Sequence, residues 1–374
     1  MIPLAKPFIG ASELANVQKV LESGMLVQGP MVAALEQTLT PWLAPGFSAV
    51  AVSNGTAALH LALLALDTGP GDTVIVPTYS WPATANVVEL TGARPLFVDI
   101  DSHSYNMDPQ KLDAAIRVAR RQTNCRLKAV MVVHAFGCPA NMDEIMTVAN
   151  KVGLPVIEDA ACAIGASWNR QAAGTMGVLG CFSLHPRKII TTGEGGLLAV
   201  KDKTVADKLR ALRNHGQAAQ ALQPDFIMPG FNYRMTDLQA ALGLAQFERL
   251  SELLARQRQV AGWYTRLLAD SSVTPQYIAP QAITNYQAYV VMLPEPVSSR
   301  DMINRLARAG IASNIGTWHI PLTSYYQKRY QYKPGDFPAT DQVFKKALAL
   351  PIHSELTYEQ VEFIVQTLLA AIGI

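Results

Sequence analysis

Lys188 stands in a stretch of sequence that could turn a lysine into a nucleophile. It follows Phe182-Ser183-Leu184-His185-Pro186-Arg187 and precedes the run Thr192-Gly193-Glu194-Gly195-Gly196, which is too rich in glycine for a helix interior. A lysine on a loop that leaves a buried strand can be desolvated, and desolvation lowers the pKa of its ammonium group. The neutral amine can then form a Schiff base with a carbonyl compound. Taken alone, the residue favours an ordinary solvated lysine over a reactive one.

Asp159 is a second candidate, because it closes the apolar run Val156-Ile157 that continues through Glu158. An acid at the end of a buried strand is either the N-cap of the next segment or the buried partner of a cation. In enzymes that use pyridoxal phosphate (PLP), such an acid keeps the pyridine nitrogen protonated, so that the ring accepts electrons from a substrate carbanion. Both interpretations remain open for Asp159 alone.

Two further segments could hold a phosphate and a flat ring. Gly55-Thr56-Ala57 opens a helical pattern, and a helix N-terminus offers free N–H groups and its positive dipole end to a phosphate. Simple helix capping explains the same residues. Trp81 ends the segment Pro77-Thr78-Tyr79-Ser80-Trp81, where it is either part of the core or a plate that stacks on a ring.

The elements that must position these residues alternate between bare apolar runs and amphipathic segments. Runs without polar alternation predict strands covered on both faces; they lie at 74–76, 96–98, 130–133 and 156–157. Helical patterns between them, at 55–66 and 142–149, predict an α/β fold with a mostly parallel sheet between helices. Ligands of such sheets bind beyond the carboxyl ends of the strands, where Trp81 and Asp159 stand.

The pattern changes after Asp237. Regularly spaced apolar residues predict one long helix from there through Leu254. Beyond about Arg258 we expect a smaller α+β domain, with a strand at 289–293 and a last helix near 359–371. The sequence thus predicts an N-terminal segment and large domain over residues 1–257 and a small C-terminal domain over 258–374.

The order of the motifs resembles that of one known family. The chain is similar to the sugar aminotransferases of the DegT/StrS group, which are fold type I PLP enzymes, over about residues 2–360. The residues that carry the resemblance are Gly55-Thr56-Ala57-Ala58-Leu59, Pro77-Thr78-Tyr79-Ser80-Trp81, Glu158-Asp159-Ala160-Ala161, Phe182-Ser183 with His185-Pro186-Arg187-Lys188, Thr192-Gly193-Glu194-Gly195-Gly196 and Gly230-Phe231-Asn232-Tyr233-Arg234.

The resemblance implies a role for each candidate. Lys188 would carry PLP as a Schiff base and move a proton between substrate and cofactor, while Asp159 would pair with the pyridine nitrogen. Trp81 would stack on the ring. Asn232 would reach the phosphate held by the neighbouring subunit, which implies a homodimer with shared active sites. The remaining cofactor-binding positions are Gly55, Thr56, Ala57, Cys162 and Ser183.

Some positions depart from the family pattern or are candidates for substrate contact only. Cys162 stands where the family often has glutamine near the cofactor's ring hydroxyl, and a thiol is a poorer hydrogen-bond partner. Ile164 and Thr323 replace histidines that many members carry. His185 and His319 are candidates for contact with substrate, although structural hydrogen bonds would explain either histidine as well.

The activity implied by the resemblance is a two-step transamination. An amino acid, by family resemblance L-glutamate, would convert PLP to pyridoxamine phosphate (PMP), which would aminate a keto group of a nucleotide-linked deoxysugar for a polysaccharide or an antibiotic. The alternatives are a PLP-dependent sugar dehydratase, a cyclitol aminotransferase and a non-enzymatic regulatory relative. Lys188 argues against the dehydratase, because related dehydratases have histidine at this position. A nicotinamide enzyme remains the alternative if PLP does not bind.

The composition excludes several other classes of protein and of binding partner. The chain has 374 residues, of which 49% are hydrophobic and 16% charged, which excludes a disordered or coiled-coil protein. A formal charge of +2 gives no reason to expect a nucleic-acid partner. Four scattered cysteines predict neither a metal site nor a disulfide framework. With no membrane span or secretory signal in the sequence, we expect a cytoplasmic enzyme.

Overall fold

A computed structural model describes residues 1–218, 223 and 225–373. Its helices are α1 (Ala11–Ser23), α2 (Pro30–Leu43), α3 (Gly55–Ala65), α4 (Ala83–Leu90), α5 (Pro109–Ala119), α6 (Met142–Asn150), α7 (Lys203–Arg213), α8 (Asp237–Glu248), α9 (Leu250–Leu267), α10 (Ser299–Arg308), α11 (Ser324–Tyr330), α12 (Pro338–Lys346) and α13 (Tyr358–Ile372). Its strands are β1 (Ser48–Val52), β2 (Asp72–Pro77), β3 (Tyr79–Ser80), β4 (Arg94–Val98), β5 (Arg126–Val133), β6 (Val156–Asp159), β7 (Ser167–Trp168), β8 (Gln171–Ala172), β9 (Leu179–Ser183), β10 (Gly196–Val200), β11 (Thr274–Pro275), β12 (Ala282–Ile283), β13 (Tyr289–Met292), β14 (Asn314–Ile315), β15 (Trp318–His319) and β16 (Ala347–Leu350).

The central sheet has seven strands in the order β1-β10-β9-β6-β5-β2-β4. The strands from β9 to β4 run parallel, whereas β1 and β10 add an antiparallel edge. Every residue of β2 and β6 is buried, as expected for strands with helices on both faces. The predicted α/β class with a mostly parallel sheet is confirmed, and the four predicted apolar runs lie in β2, β4, β5 and β6.

The long helix predicted from Asp237 through Leu254 is wrong, because the structure has two helices there. Arg249 separates α8 from α9 with φ −101° and ψ 2°, and its N–H bonds to the carbonyl of Gln246, three residues back. The break lets α8 pack against α1 and α2 while α9 packs against α13. Apolar spacing does not reveal such a change of axis, since the pattern remains helical on both sides of it.

A second sheet lies in the C-terminal third, with the antiparallel order β11-β13-β16-β14. Helices α9, α10 and α13 supply the apolar side chains that pack with it. The predicted strand at 289–293 is β13, and the predicted last helix is α13. The division between residues 257 and 258 falls inside α9 and stays a prediction. Within the described ranges, no helix is long and apolar enough to cross a membrane.

Backbone hydrogen bonds join the C-terminal part of the chain to the rest of the molecule, and two sets of them bear on the site. The N–H of Ile2 bonds to the carbonyl of Gly310 at 2.7 Å, and its carbonyl accepts from the N–H of Ala312 at 2.9 Å. Strand β15 pairs antiparallel with β3, so that Trp318 lies opposite Ser80. The C-terminal part is therefore held against the carboxyl end of β2, where the candidate residues gather.

Candidate active site

Lys188 lies on the loop between β9 and β10 and turns toward the residues that follow β6. Its Nζ lies 3.0 Å from Sγ of Cys162. The loop is closed at its base, because the N–H of Thr192 bonds to the carbonyl of Leu184 at 2.9 Å. A tighter turn inside it joins the N–H of Lys188 to the carbonyl of His185 at 2.8 Å. The structure thus brings two of the predicted cofactor-binding residues into contact.

Asp159 is the last residue of β6 and is 5% exposed. Its Oδ2 accepts a hydrogen bond from Oγ1 of Thr84 at 2.8 Å, and its Oδ1 accepts from the N–H of Ala161 at 3.2 Å. Among the residues that the structure describes, no cation lies within 4 Å of this carboxylate. Burial therefore raises the pKa of Asp159, against the opposing effects of the two hydrogen bonds and of the Lys188 charge.

The neighbouring acid, Glu158, points to the other side of the strand and is fully engaged. Its Oε2 accepts from Nε2 of His134 at 2.8 Å and from the N–H of Gly174 at 2.7 Å. Its Oε1 accepts from two backbone N–H groups, those of Met176 and Gly177, both at 2.6 Å. Adjacent strand residues face opposite ways, so only Asp159 is presented to Lys188 without an ionic partner of its own.

Thr84 is a site residue that the sequence analysis missed. It lies in the first turn of α4, with its hydroxyl bonded to Asp159 and 2.9 Å from Oγ of Ser80. Both hydroxyls are buried. The only sequence signal for Thr84 is its position three residues after Trp81. A local pattern cannot show which distant acid a buried hydroxyl will bond to.

Gly55 and Ser183 form a narrow cradle where the N-terminus of α3 meets the end of β9. A Cβ on Gly55 would lie 2.9 Å from Cβ of Ser183 and 3.2 Å from its Oγ, so that only glycine fits. The side chain of Asn54 caps the helix by accepting from the N–H of Ala57 at 2.8 Å. The first N–H groups of a helix have no partner within the helix, and together with the Ser183 hydroxyl those of Gly55 and Thr56 suit a phosphate.

Replacing Gly55 by alanine is expected to force the cradle apart. Overpacking of this kind costs about 1–3 kcal/mol of the free energy of unfolding, and we expect the affinity for PLP to fall about tenfold, which corresponds to about 1.4 kcal/mol. Thermal unfolding and a PLP titration monitored by absorbance check both effects.

Gly262→Ala is the matched control. Gly262 lies within α9, and a Cβ there would meet nothing within 4 Å. This change is expected to raise the free energy of unfolding by about 0.5–1 kcal/mol without affecting PLP. Equal PLP affinity in the Gly55→Ala protein and the wild type would contradict the cradle.

The other predicted contacts lie on the rim of the same region. Trp81 is 61% exposed between β3 and α4, and Trp318 on the paired strand is 41% exposed. Asn232 is exposed, and the carbonyl of the next residue, Tyr233, accepts from the N–H of Ser53 at 2.8 Å. The segment that carries Asn232 therefore runs beside the loop that precedes Gly55 in the same chain.

The two histidines proposed for substrate contact differ in accessibility. His185 is partly exposed, and its Nδ1 accepts from the N–H of Arg187 at 3.2 Å. Partial burial, with Lys188 and Arg187 nearby, lowers the pKa of His185, while Glu194 opposes the shift. His319 is buried, with Nε2 3.2 Å from a carboxylate oxygen of Asp341. Of the two, only His185 lies on the lysine loop.

A lysine amine, a buried carboxylate without counter-charge and a phosphate cradle thus converge at the carboxyl ends of β2, β6 and β9. These groups suit a phosphorylated aromatic cofactor with a basic ring nitrogen. The family model for the DegT/DnrJ/EryC1/StrS aminotransferase family matches residues 7–369. The chain belongs to this family, and the predicted class, a PLP-dependent aminotransferase of fold type I, is confirmed.

Individual relatives show the same architecture over the whole chain. The spore coat polysaccharide biosynthesis protein SpsC of Bacillus subtilis (strain 168) is 35% identical over 98% of this chain and 95% of its own. The putative sugar aminotransferase Spr1654 from Streptococcus pneumoniae, solved in its PMP form, is 28% identical with a TM-score of 0.93, covering 100% of this chain and 99% of its own. An aminotransferase of the family from Brucella abortus is 31% identical with a TM-score of 0.90, covering 97% and 96%.

Proposed function

We propose that the protein transfers the amino group of an amino acid, L-glutamate, to a keto group of a nucleotide-linked deoxysugar. The observation that carries the proposal is that Lys188 lies near a buried Asp159 whose carboxylate has no cation within 4 Å among the described residues. A carboxylate held this way stabilises a protonated ring nitrogen, and a cation in contact with it would offset its desolvation. PLP, when bound, supplies an electron sink for the bond broken at the substrate carbon.

In this proposal each side chain has one task. Asp159 holds the proton on the ring nitrogen, and Thr84 orients the Asp159 carboxylate. Gly55 and Thr56 bind phosphate through their N–H groups, helped by the hydroxyl of Ser183. Three further residues complete the set: Lys188 would anchor the cofactor and move the proton at the substrate carbon, Trp81 would cover one face of the ring, and Cys162 would contact the cofactor beside Lys188.

The sugar acceptor is supported by the relatives and by the surface of the site. SpsC is named for polysaccharide biosynthesis and Spr1654 as a sugar aminotransferase. Exposed Trp318, on the strand that pairs with β3, offers an aromatic face to a sugar ring. The substitutions Cys162, Ile164 and Thr323 are the positions where we expect the preference for a particular sugar to be set.

The homodimer is also part of the proposal. Asn232 is exposed and stands near Phe226, Ile227 and Phe231, which are large exposed apolar residues. Exposed apolar patches of this kind mark interaction surfaces, and a second copy seated there would bring its own cofactor phosphate to Asn232. Two expectations from the sequence remain in the proposal as well, namely the division into a large and a small domain and the cytoplasmic location.

The first test is the half-reaction without an acceptor. Purified protein loaded with PLP is mixed with L-glutamate, and the visible absorbance of the cofactor and the release of 2-oxoglutarate are followed. We expect the absorbance band to bleach as one equivalent of 2-oxoglutarate appears. A band that persists in L-glutamate would overturn the choice of donor.

The acceptor is then tested with protein converted to its aminated form. Keto sugars linked to a nucleotide are expected to restore the absorbance band, each yielding an amino sugar. Restoration by a cyclitol ketone alone would favour the cyclitol aminotransferase, and loss of water from the sugar without amination would favour the dehydratase. Either result would replace the proposed acceptor.

A further inference from the structure

A cleft beside Lys188 is lined by residues that do not include Asp159. It lies between the N-terminal segment, the lysine loop and the C-terminal part of the chain. The polar residues that line it are Lys6, Arg187, Lys188, Gln257, Gln287, His353 and Ser354. Neither the phosphate cradle nor Asp159 contributes to this lining, so the cleft is a separate compartment that shares the lysine.

His353 is the unusual group in this cleft. Its side chain is 7% exposed, and neither ring nitrogen has a hydrogen-bond partner anywhere in the described part of the chain. Burial lowers the pKa of His353, and Lys6 adds to the shift while Glu355 opposes it. An imidazole carries at least one N–H donor in either protonation state. Buried polar groups of folded proteins almost always have a partner, so a ligand that accepts a hydrogen bond is expected here.

The neighbouring donors are already engaged. Nε2 of Gln257 donates to the carbonyl of Tyr286 at 2.8 Å, and Nε2 of Gln287 donates to the carbonyl of Arg187 at 3.0 Å. Each amide thus already has one partner, whereas His353 is the buried side chain of the lining whose polar atoms have none in the described structure.

The charges around the cleft have one sign. Lys6, Arg187 and Lys188 line it, and no acidic residue is among the described residues that do so. Glu355 pairs with Lys6 without lining the cleft. Cationic side chains and a neutral N–H donor together suit a carboxylate.

We propose that this cleft binds a carboxylate of the amino donor, with His353 donating a hydrogen bond to it and Lys6 and Arg187 supplying positive charge. The inference rests on the proposed function, since it assigns a place to the amino acid of the first half-reaction. Because Lys188 lines the same cleft, a donor whose carboxylate is held there would lie next to the lysine loop. His353 is thus a residue that determines which amines serve as donors.

The test compares His353→Phe, which keeps a buried ring but removes the donor, with His353→Gln, which restores an N–H. Loss of a hydrogen bond to a charged group should weaken binding about 10- to 100-fold. We expect His353→Phe to raise the L-glutamate concentration needed for half-maximal bleaching by this factor, with His353→Gln recovering part of it. Calorimetric titration of glutarate, a carboxylate without an amine, into the PLP-loaded protein should show the same loss.

Controls separate this inference from folding and from the proposed function. Arg187 is exposed, so Arg187→Met removes the positive charge without disturbing the interior. His103→Asn removes an exposed histidine outside the cleft and should leave the affinity for L-glutamate and for glutarate unchanged. If His353→Phe weakens both L-glutamate and L-2-aminobutyrate, the cleft holds the α-carboxylate; if it weakens only L-glutamate, it holds the distal one. Both results support the proposal.

Other results would overturn the carboxylate site. If His353→Phe and Arg187→Met match the wild type for L-glutamate and for glutarate, the cleft does not bind the donor. If the wild type itself ignores L-glutamate, the proposed donor fails separately. The glutarate titration then still decides the cleft, since lost binding in His353→Phe supports the carboxylate site and equal binding overturns it.

Discussion

Lys188→Ala is expected to lower the rate of amino transfer by at least about 10³-fold, because the change removes both the covalent anchor and the group that moves the proton. The side chain contacts only Cys162 among the hydrogen-bond partners found in the described structure, so the fold should survive. Loss of the cofactor's visible band, with an unchanged thermal unfolding temperature, would show that chemistry rather than folding is lost.

Lys203→Ala serves as the matched lysine control. Lys203 is exposed at the start of α7, away from the cleft and the cradle, and its replacement should leave both absorbance and turnover unchanged. A small primary amine added to Lys188→Ala is expected to restore part of the proton transfer. Turnover by Lys188→Ala at the wild-type rate would remove the lysine from the mechanism.

Asp159→Asn is expected to lower turnover roughly 10²- to 10³-fold, since a neutral amide offers no negative charge to a protonated ring nitrogen. The same change should stabilise the protein when PLP is absent. Burial without an ionic partner raises the pKa of Asp159 in the folded state, so its contribution to stability is present below the ordinary pKa of an aspartic acid and is lost as pH rises through the raised value.

The measurement is the unfolding temperature of PLP-free protein at neutral pH and near pH 3. Asp159→Asn should unfold at a higher temperature than the wild type at neutral pH, and the difference should disappear in acid. Exposed Asp207→Asn on α7 is the control and should show neither effect. A less stable Asp159→Asn protein at neutral pH would mean that the carboxylate already has its counter-charge.

The strands of the sheet could be predicted because their signal is local. Runs such as 74–76 and 130–133 are apolar on both faces. An uninterrupted apolar run of this length is enough to predict a strand that is buried on both sides. The break at Arg249 could not be predicted in the same way, because the helical pattern continues through it. What ends α8 is the packing of its neighbours, and these come from distant parts of the chain.

The residues of the candidate site also fall into those with a local sequence signal and those without one. Lys188 and Asp159 were found because they follow apolar runs and match a family pattern, and the structure places both at the predicted end of the sheet. Thr84 and His353 were not assigned roles, since their importance depends on what approaches them. The partner of Thr84 is 75 residues away, and His353 matters because its buried nitrogens are unmatched.

The two bonds that tie Ile2 to Gly310 and Ala312 also set an order of events during protein synthesis. The segment containing Ile2 is translated long before its partners Gly310 and Ala312. Contacts between such distant residues form late, because closing a long loop is slow. Lys6 likewise meets His353 only after the C-terminal part of the chain has been translated. The cleft that both residues line beside Lys188 therefore forms late in folding.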